Sequence, residues 1–537
     1  MAVPRPGPRD DADAPSSEHD SETSVGDASA EATVGAQDPT LTGLSRSDVL
    51  ESADETEAYY TLYENDRAGW HVRLFGSPEF FRLWLVQVVS ATGDWLGFSA
   101  IILLAARIGG GAGAGAISLV MAARIVPGFF FGPLAGVLVD RWDRKKVMVS
   151  CDIGRAVVLA LLPFVGDVIG LVLASLALEV LTLLWGPAKD SEVPNLVPRD
   201  HLTTANSLSL AAAYGTFPFA SLLFALLAGL SIWVGQIPGL HWLDNNQMAL
   251  AFYFDVATFL FSAWMIHRLR MPSRPKRIDA LDDESRRVDL RRTLDELIDG
   301  WREVFSNHTV RAVNLGLATG LIGGGMLIPL GAVFSTQVLG TGAAGFGLFT
   351  TALGFGVAIG VIGVSALQKR VPKTTVFTGS LFMAGISLFL AASSSTLPVA
   401  FAFVLLMGMS VGPVYVIGYA LLQQEVDDEM RGRVFSSLNT LVRLCVLISM
   451  VAGPLLAALL GGFSKALFDS EVSVGGLTIW LPGVRLALWL AAAIIIVAGF
   501  AALASLRAGQ REHSADRSPH PSRRTVSDAT TDTDTGD

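Results

Sequence analysis

A chain of 537 residues that is 51% hydrophobic and only 16% charged falls well below the roughly 25% charge of a typical soluble protein. Apolar runs near or above 20 residues recur along most of its length, which excludes a soluble globular fold and marks a polytopic membrane protein. The net charge of −10 belongs to one end: residues 1–70 carry sixteen Asp and Glu against four Arg, so the remainder is close to +2 and offers no basic surface for nucleic acid.

In chain order, residues 1–78 are rich in Ser, Asp, Glu, Ala and Pro and read as a disordered acidic tail. They lack the basic and apolar regions of a secretory signal, so the first membrane helix is expected to direct insertion. Twelve spans follow, near 80–107, 115–139, 146–166, 168–188, 204–230, 248–269, 310–336, 342–367, 374–394, 397–422, 434–460 and 484–507. Their lengths suit a hydrocarbon core of about 30 Å with some tilt. The expected fold is an all-α membrane protein, twelve transmembrane helices in two pseudo-symmetric six-helix bundles at 79–270 and 310–507, with a second tail at 508–537.

Every second loop is basic. Arg141, Arg144, Lys145 and Lys146 follow span 2, Lys189 and Arg199 follow span 4, and a cluster from Arg268 to Arg302 follows span 6. Lys369, Arg370 and Lys373 then follow span 8, and Arg431 and Arg433 follow span 10. The intervening loops are nearly bare, apart from Arg107, Lys465 and Arg485 near helix ends. The positive-inside rule therefore puts both termini in the cytoplasm, and the even span count agrees. The linker at 271–309 ends in "DLRRTLDELIDGWREVF", where Leu290, Leu294, Leu297, Ile298, Trp301, Val304 and Phe305 recur at helical spacing opposite a charged face. That pattern predicts a helix lying in the membrane interface.

A faint repeat relates the halves: "RDHLTTANSL" (199–208) before span 5 resembles "RGRVFSSLNTL" (431–441) before span 11. "GVLVDRWDRKK" after span 2 has a degraded counterpart, "GVSALQKRVPK" (363–373), after span 8. Duplicated six-helix halves are a recurring transporter design in which the solute path runs between them. The two cysteines, Cys151 and Cys445, fall in apolar helices as packing residues, without metal or disulfide spacing.

The stretch "GVLVDRWDRKK" resembles the signature loop of the major facilitator superfamily, G-x-L-x-D-R-x-G-R-[KR]. Gly136, Leu138, Asp140, Arg141, Arg144 and Lys145 fit that pattern. Asp143 replaces the second glycine, as in the branch that contains macrolide-efflux and enterobactin-exporting proteins. "ATGDW" in span 1, "DIGRA" in span 3 and "VPRDHLTTANSL" before span 5 extend the resemblance over most of residues 75–507. By resemblance, the loop latches the cytoplasmic side, Asp140 caps span 11 near Ser436–Asn439, and Arg144 pairs with an acid such as Asp190 or Glu192. Where many proton antiporters of the family carry an arginine in span 4, this chain offers Glu179; its Gly-Pro pair lies in span 11, as Gly453–Pro454.

Seven ionisable residues fall well inside spans: Asp94, Arg124, Asp152, Arg155, Glu179, Asp255 and Arg443. Facing lipid, together they would cost about 20 kcal/mol even on the gentler insertion scale, so they must face one another or a wet cavity. Asp152 and Arg155, three apart, are expected to pair on one helix face. Arg124 and Asp255 are expected either as a latch towards the outer side or as a packing pair. Asp94 and Glu179 are the expected coupling acids, because a carboxyl sheltered from bulk water can exchange a proton in the range where cells hold a gradient. Arg443 either repels the proton or binds an anionic solute. By the resemblance, spans 1, 4, 7 and 10 line the path, and Met407, Met409, Tyr415 and Tyr419 of span 10 offer adaptable contacts to an amphipathic cargo.

These features together predict a secondary exporter of the plasma membrane, working by alternating access. A proton gradient replaces any bound cofactor; the partners are a small-molecule solute and membrane lipids, and the chain acts as a monomer. Import or facilitation of a small metabolite is the alternative within that class. A membrane-embedded enzyme or lipid-handling protein is the alternative outside it, disfavoured because the eight histidines are scattered without ligand spacing.

Overall fold

The computed structural model describes residues 70–110, 113–139, 142–239, 241–269, 302, 306–367, 370–426, 428–469, 471–474 and 477–516. The acidic tail up to residue 69, the linker helix expected near 290–305 apart from isolated residues, and the signature-loop residues Asp140 and Arg141 lie outside the described residues. Twelve helices are long and apolar enough to cross a membrane: α1 (Pro78–Ile108), α2 (Gly113–Val139), α3 (Arg144–Phe164), α4 (Val168–Asp190), α5 (Leu202–Gly235) and α6 (Ala249–Arg268) in the first bundle, then α7 (His308–Val338), α8 (Gly342–Leu367), α9 (Lys373–Ser393), α10 (Leu397–Glu425), α11 (Asp428–Phe468) and α12 (Gly483–Asp516) in the second. Side chains cap several starts: Ser77 accepts from Phe80 N–H, Asp143 from Lys146, Asp167 from Gly170, and Asn307 from Thr309 and Val310.

Local chemistry explains where the helices depart from the expected runs. α5 breaks at Thr216, because Pro218 has no N–H to give the Tyr214 carbonyl. α7 breaks at Met326 after Gly323, Gly324 and Gly325, with Pro329 just beyond, and closes in a π turn at Phe334–Val338. α12 runs to Asp516, beyond the boundary expected at 507, and a short helix at Trp70–Phe75 precedes α1. The α11–α12 connection holds an antiparallel hairpin, β1 (Glu471–Val474) with β2 (Leu477–Trp480), that the apolar pattern did not reveal.

Because each span returns the chain to the other side, the basic loops share one face, here the basic face, with the start of α1 and the end of α12. Arg485, a cation on the opposite side, is buried and consumed structurally. Its guanidinium donates to the carbonyls of Ala392 (3.0 Å), Ser394 (3.0 Å) and Trp480 (2.7 Å), tying the end of α9 to the hairpin.

The buried apolar residues show how the bundles meet. One cluster joins both halves on the side opposite the basic face, combining Leu96–Ala105 of α1, Ile117–Met121 of α2 and Phe224 of α5 with Met326–Phe334 of α7 and Phe346–Ala352 of α8. Towards the basic face the clusters separate: Phe80, Leu83, Val139 and Met148 belong to clusters of the first half alone, and Val313, Phe377, Ile417 and Leu438 to one of the second. The α5–α8 contact makes the same point. A Cβ on Gly347 would stand 2.7 Å from that of Ala225, and one on Gly354 2.8 Å from Pro218, while Phe219 and Phe355 pair at 5.5 Å. Nearer the basic face, Leu210 and Tyr214 of α5 and Ile359 and Ile362 of α8 are exposed. The bundles are closed on one side and part on the other, leaving a cleft that opens on the basic face.

Candidate functional site

Six ionisable side chains from five helices gather inside the first bundle. α3 supplies the centre: Arg155 is 1% exposed and Asp152 0%. They form the expected ion pair, three residues apart on one face. The Ser262 hydroxyl of α6 donates to the second Asp152 oxygen at 2.5 Å. The Arg155 guanidinium lies over the Phe259 ring at 4.2 Å and the Trp185 ring at 5.2 Å, and one of its nitrogens is 3.8 Å from Asp94 of α1. Ion pairing, hydrogen bonding and ring faces together replace most of the water this arginine has lost, its buried Nε having no hydrogen-bond partner among the described residues.

A small cavity beside this centre is lined by Asp94, Gly97, Arg124, Arg155, Thr182 and Asp255, among others. Arg124 reaches over the Phe98 ring at 5.7 Å. Asp255 of α6 is 1% exposed and has no cation within ion-pair distance among the described residues. Among the described residues its carboxyl's one hydrogen-bonding neighbour is Thr258, whose hydroxyl donates to the Asp255 backbone carbonyl at 2.7 Å and lies 3.1 Å from its carboxyl. Gly93 and Gly97 make the room: a methyl group at either would land on the Asp255 carboxyl. These glycines sit four apart, the small-x-x-x-small spacing of close helix crossings, and that signal in "GDWLG" was readable in the sequence. On α2, Gly128 gives Glu179 the same accommodation, with a would-be Cβ 3.0 Å from a Glu179 oxygen. Arg124 and Asp94 lie within electrostatic reach of Glu179.

Arg124 and Asp255 were expected either as an outer latch or as a packing pair; the structure brings them to one cavity. Both line the one cavity together with Asp94 and Arg155, because the glycine face of α1 lets α6 bring its acid inward. Valine at Gly97 is expected to displace the Asp255 carboxyl at an overpacking cost of about 1–3 kcal/mol. That loss is measured as a lowered melting temperature against Gly229→Val, where a Cβ would meet nothing within 4 Å. An equal, small effect in both variants would show that the glycine face does not hold the acid in place.

At the basic face, Arg144 donates to the Ser191 carbonyl at 2.7 Å and to Glu192 at 3.2 Å, so Glu192 is its acid; Asp190 pairs instead with Lys189 at 2.8 Å. Lys145 donates to the Leu269 carbonyl at the end of α6, 2.9 Å away. Asp143 has a local reason to stand where the family pattern has glycine: its carboxylate caps α3, accepting from the Lys146 N–H at 3.0 Å. Gly136 falls in the last turns of α2, and Asp140 and Arg141, with the cap expected on α11, are among the residues not described.

The four α10 residues do not act as one wall. Tyr415 and Tyr419 stack with ring centroids 6.2 Å apart, and Tyr419 also meets Phe435 of α11 at 5.6 Å. Met407 is 1% exposed in the core, and Met409 sits at the crossing with α8, where the Gly356 and Gly360 Cβ positions would contact its backbone. At about 100° per residue Met409 points well away from the tyrosine face, so both methionines are removed from the cleft lining. Arg443 of α11 is exposed, with no hydrogen bond or ion pair among the described residues. Ser262, Thr258, Phe259 and Trp185 were missed because a lone serine, threonine or aromatic in an apolar run carries no signal until its distant partner is known.

Residues 83–450 match the family model of the Major Facilitator Superfamily. The chain is 26% identical over 423 residues to an uncharacterised MFS-type transporter of Mycobacterium tuberculosis, covering 75% of this chain and 90% of that protein. It is 26% identical over 397 residues to macrolide efflux protein A of Streptococcus pyogenes, covering 71% and 90%. Among solved structures it shares its fold with a bacterial homologue of the human lysosomal transporter Spinster, at a TM-score of 0.61 and 16% identity, covering 81% of this chain and 98% of that one.

Proposed function

The chain belongs to the major facilitator superfamily, whose members carry small-molecule solutes across membranes, and from that membership we propose that it is a proton-coupled exporter of an amphipathic solute. The observations that carry the reading are a cleft opening on the basic face and, inside the first bundle, a largely buried cluster of four carboxyls and two arginines. With the basic face in the cytoplasm of a plasma-membrane protein, as the loop charges support, this state receives cargo from inside. Rocking of the two bundles about their shared core then exposes the cleft to the outside. Two carboxyls in excess of the arginines give the cluster sites for a proton, with Asp94, the one beside Arg155 that is partly exposed, best placed to meet water. If one net charge crosses per cycle, a driving force of about 150 mV supplies ~3.5 kcal/mol, a few-hundred-fold solute gradient. Efflux relatives favour export over import.

Transport in inverted membrane vesicles, with a panel of amphipathic drugs and siderophores, tests the reading. Wild-type protein is expected to accumulate at least one solute when the vesicles are acidified inside, and Asp94→Asn and Glu179→Gln to abolish accumulation while retaining solute binding. Full gradient-driven transport in both variants would refute the assignment of the coupling acids.

A further inference from the structure

We propose that Arg443, one helical turn along α11 from the Asn439 that meets the stacked tyrosines of α10, holds an anionic head group, so that the cargo is an amphipath carrying a carboxylate or phosphate. The inference rests on the transporter reading of the cleft and adds the chemical class of the solute.

Arg443 lies far from either end of α11, and the apolar helices of the second bundle hold no other Asp, Glu, Lys or Arg at comparable distance from their ends. The buried arginines elsewhere are engaged: Arg155 by Asp152, Asp94 and two rings, with its buried Nε left without a hydrogen bond among the described residues, and Arg485 by three carbonyls and the Ser395 hydroxyl. Arg443 is exposed and makes no such contact among the described residues. Turned towards acyl chains, it would cost a few kcal/mol with nothing to offset the loss.

Its position on the helix shows which way it faces. At 100° per residue, Ser436, Asn439, Thr440 and Arg443 share one polar stripe. Val434, Leu438 and Cys445 lie on the opposite side and are buried, and Leu444 and Ile448 form a separate exposed apolar flank. The stripe borders α10, where the Tyr419 hydroxyl donates to the Asn439 side-chain oxygen at 3.4 Å. Tyr415, Tyr419 and Phe435 thus form an aromatic shelf leading to an unpaired guanidinium, in the part of the fold where the bundles separate. Across the cleft, the first bundle has four acids against two arginines and repels an anion, so both halves orient the solute the same way: head to α11, apolar body along the tyrosines.

Binding to the purified full-length protein in nanodiscs tests this, read by fluorescence polarisation with a dansyl-labelled alkyl carboxylate and its methyl ester. The wild type is expected to prefer the carboxylate by about 10- to 100-fold, the range for a hydrogen-bonded charge contact. Arg443→Gln should bind both probes at the level of the ester, and Arg443→Lys should recover part of the preference. Retained ester binding by Arg443→Gln shows that the variant is folded. Equal wild-type affinity for the two probes, or an unchanged preference in Arg443→Gln, would overturn the proposal. Competition by phosphatidylglycerol in the disc would identify a lipid as the source of the anionic head, and its absence a soluble solute; the site stands in both cases. Equilibrium binding needs no gradient, so lost proton coupling with an intact carboxylate preference would count against the transport mechanism alone.

Discussion

Replacing Arg155 with methionine lowers the stability of the folded protein by about 3–5 kcal/mol, the cost of leaving one member of a buried ion pair without the other. Asp152 is 0% exposed, and its two oxygens are satisfied by Arg155 and by Ser262. Without the guanidinium the carboxylate keeps one hydroxyl in an apolar bundle. Methionine is chosen because it refills the space between Phe259 and Trp185 with little strain, so that the loss reports the charge and not a cavity. Adding Asp152→Asn removes the stranded charge, and the double variant should recover most of the loss. Thermal melts of the purified protein in one detergent give all three values. If Arg155→Met and the double variant melt together, far below wild type, then packing and not charge pairing maintains this centre.

The same centre shows what could be read without coordinates. Spans, their order and the pairing of Asp152 with Arg155 follow from apolar length and from helical spacing within one element. By the family resemblance Arg144 was expected to meet an acid such as Asp190 or Glu192, and Glu192 is the one it meets. Contacts between distant segments were illegible: Ser262 meets Asp152 across 110 residues of sequence, and the inward course of Asp255 depends on α1 offering glycines at that height. Met409 was misplaced because a helix lining a path has other faces too, and one of them packs against glycines of α8. The side on which the bundles part was illegible for a deeper reason. A rocking transporter carries one sequence through both states, so its apolar pattern must suit both.

That rocking is testable through a close contact between the bundles, α5 against α8. Cysteines at Ala225 of α5 and Gly347 of α8 replace positions whose Cβ atoms would stand 2.7 Å apart. A disulfide needs about 3.5–4.5 Å between them, so a small separation of the helices suffices. The native Cys151 and Cys445 are free and buried and are first replaced by alanine. Oxidation should then abolish transport, because the side that must open is sealed covalently, and a reductant should restore it. A second pair, at Gly356 and Gly408, joins α8 to α10 inside one bundle; Cβ atoms there would crowd the Leu405 and Leu353 carbonyl oxygens, so the oxidised protein is compared with the same variant reduced. If the bundles move as rigid bodies this link leaves turnover intact. Solute movement through fully cross-linked 225–347 protein would mean that the path does not require the bundles to part there, and alternating access by rocking would have to be given up. Inhibition by the second link alone would place the motion inside the second bundle instead.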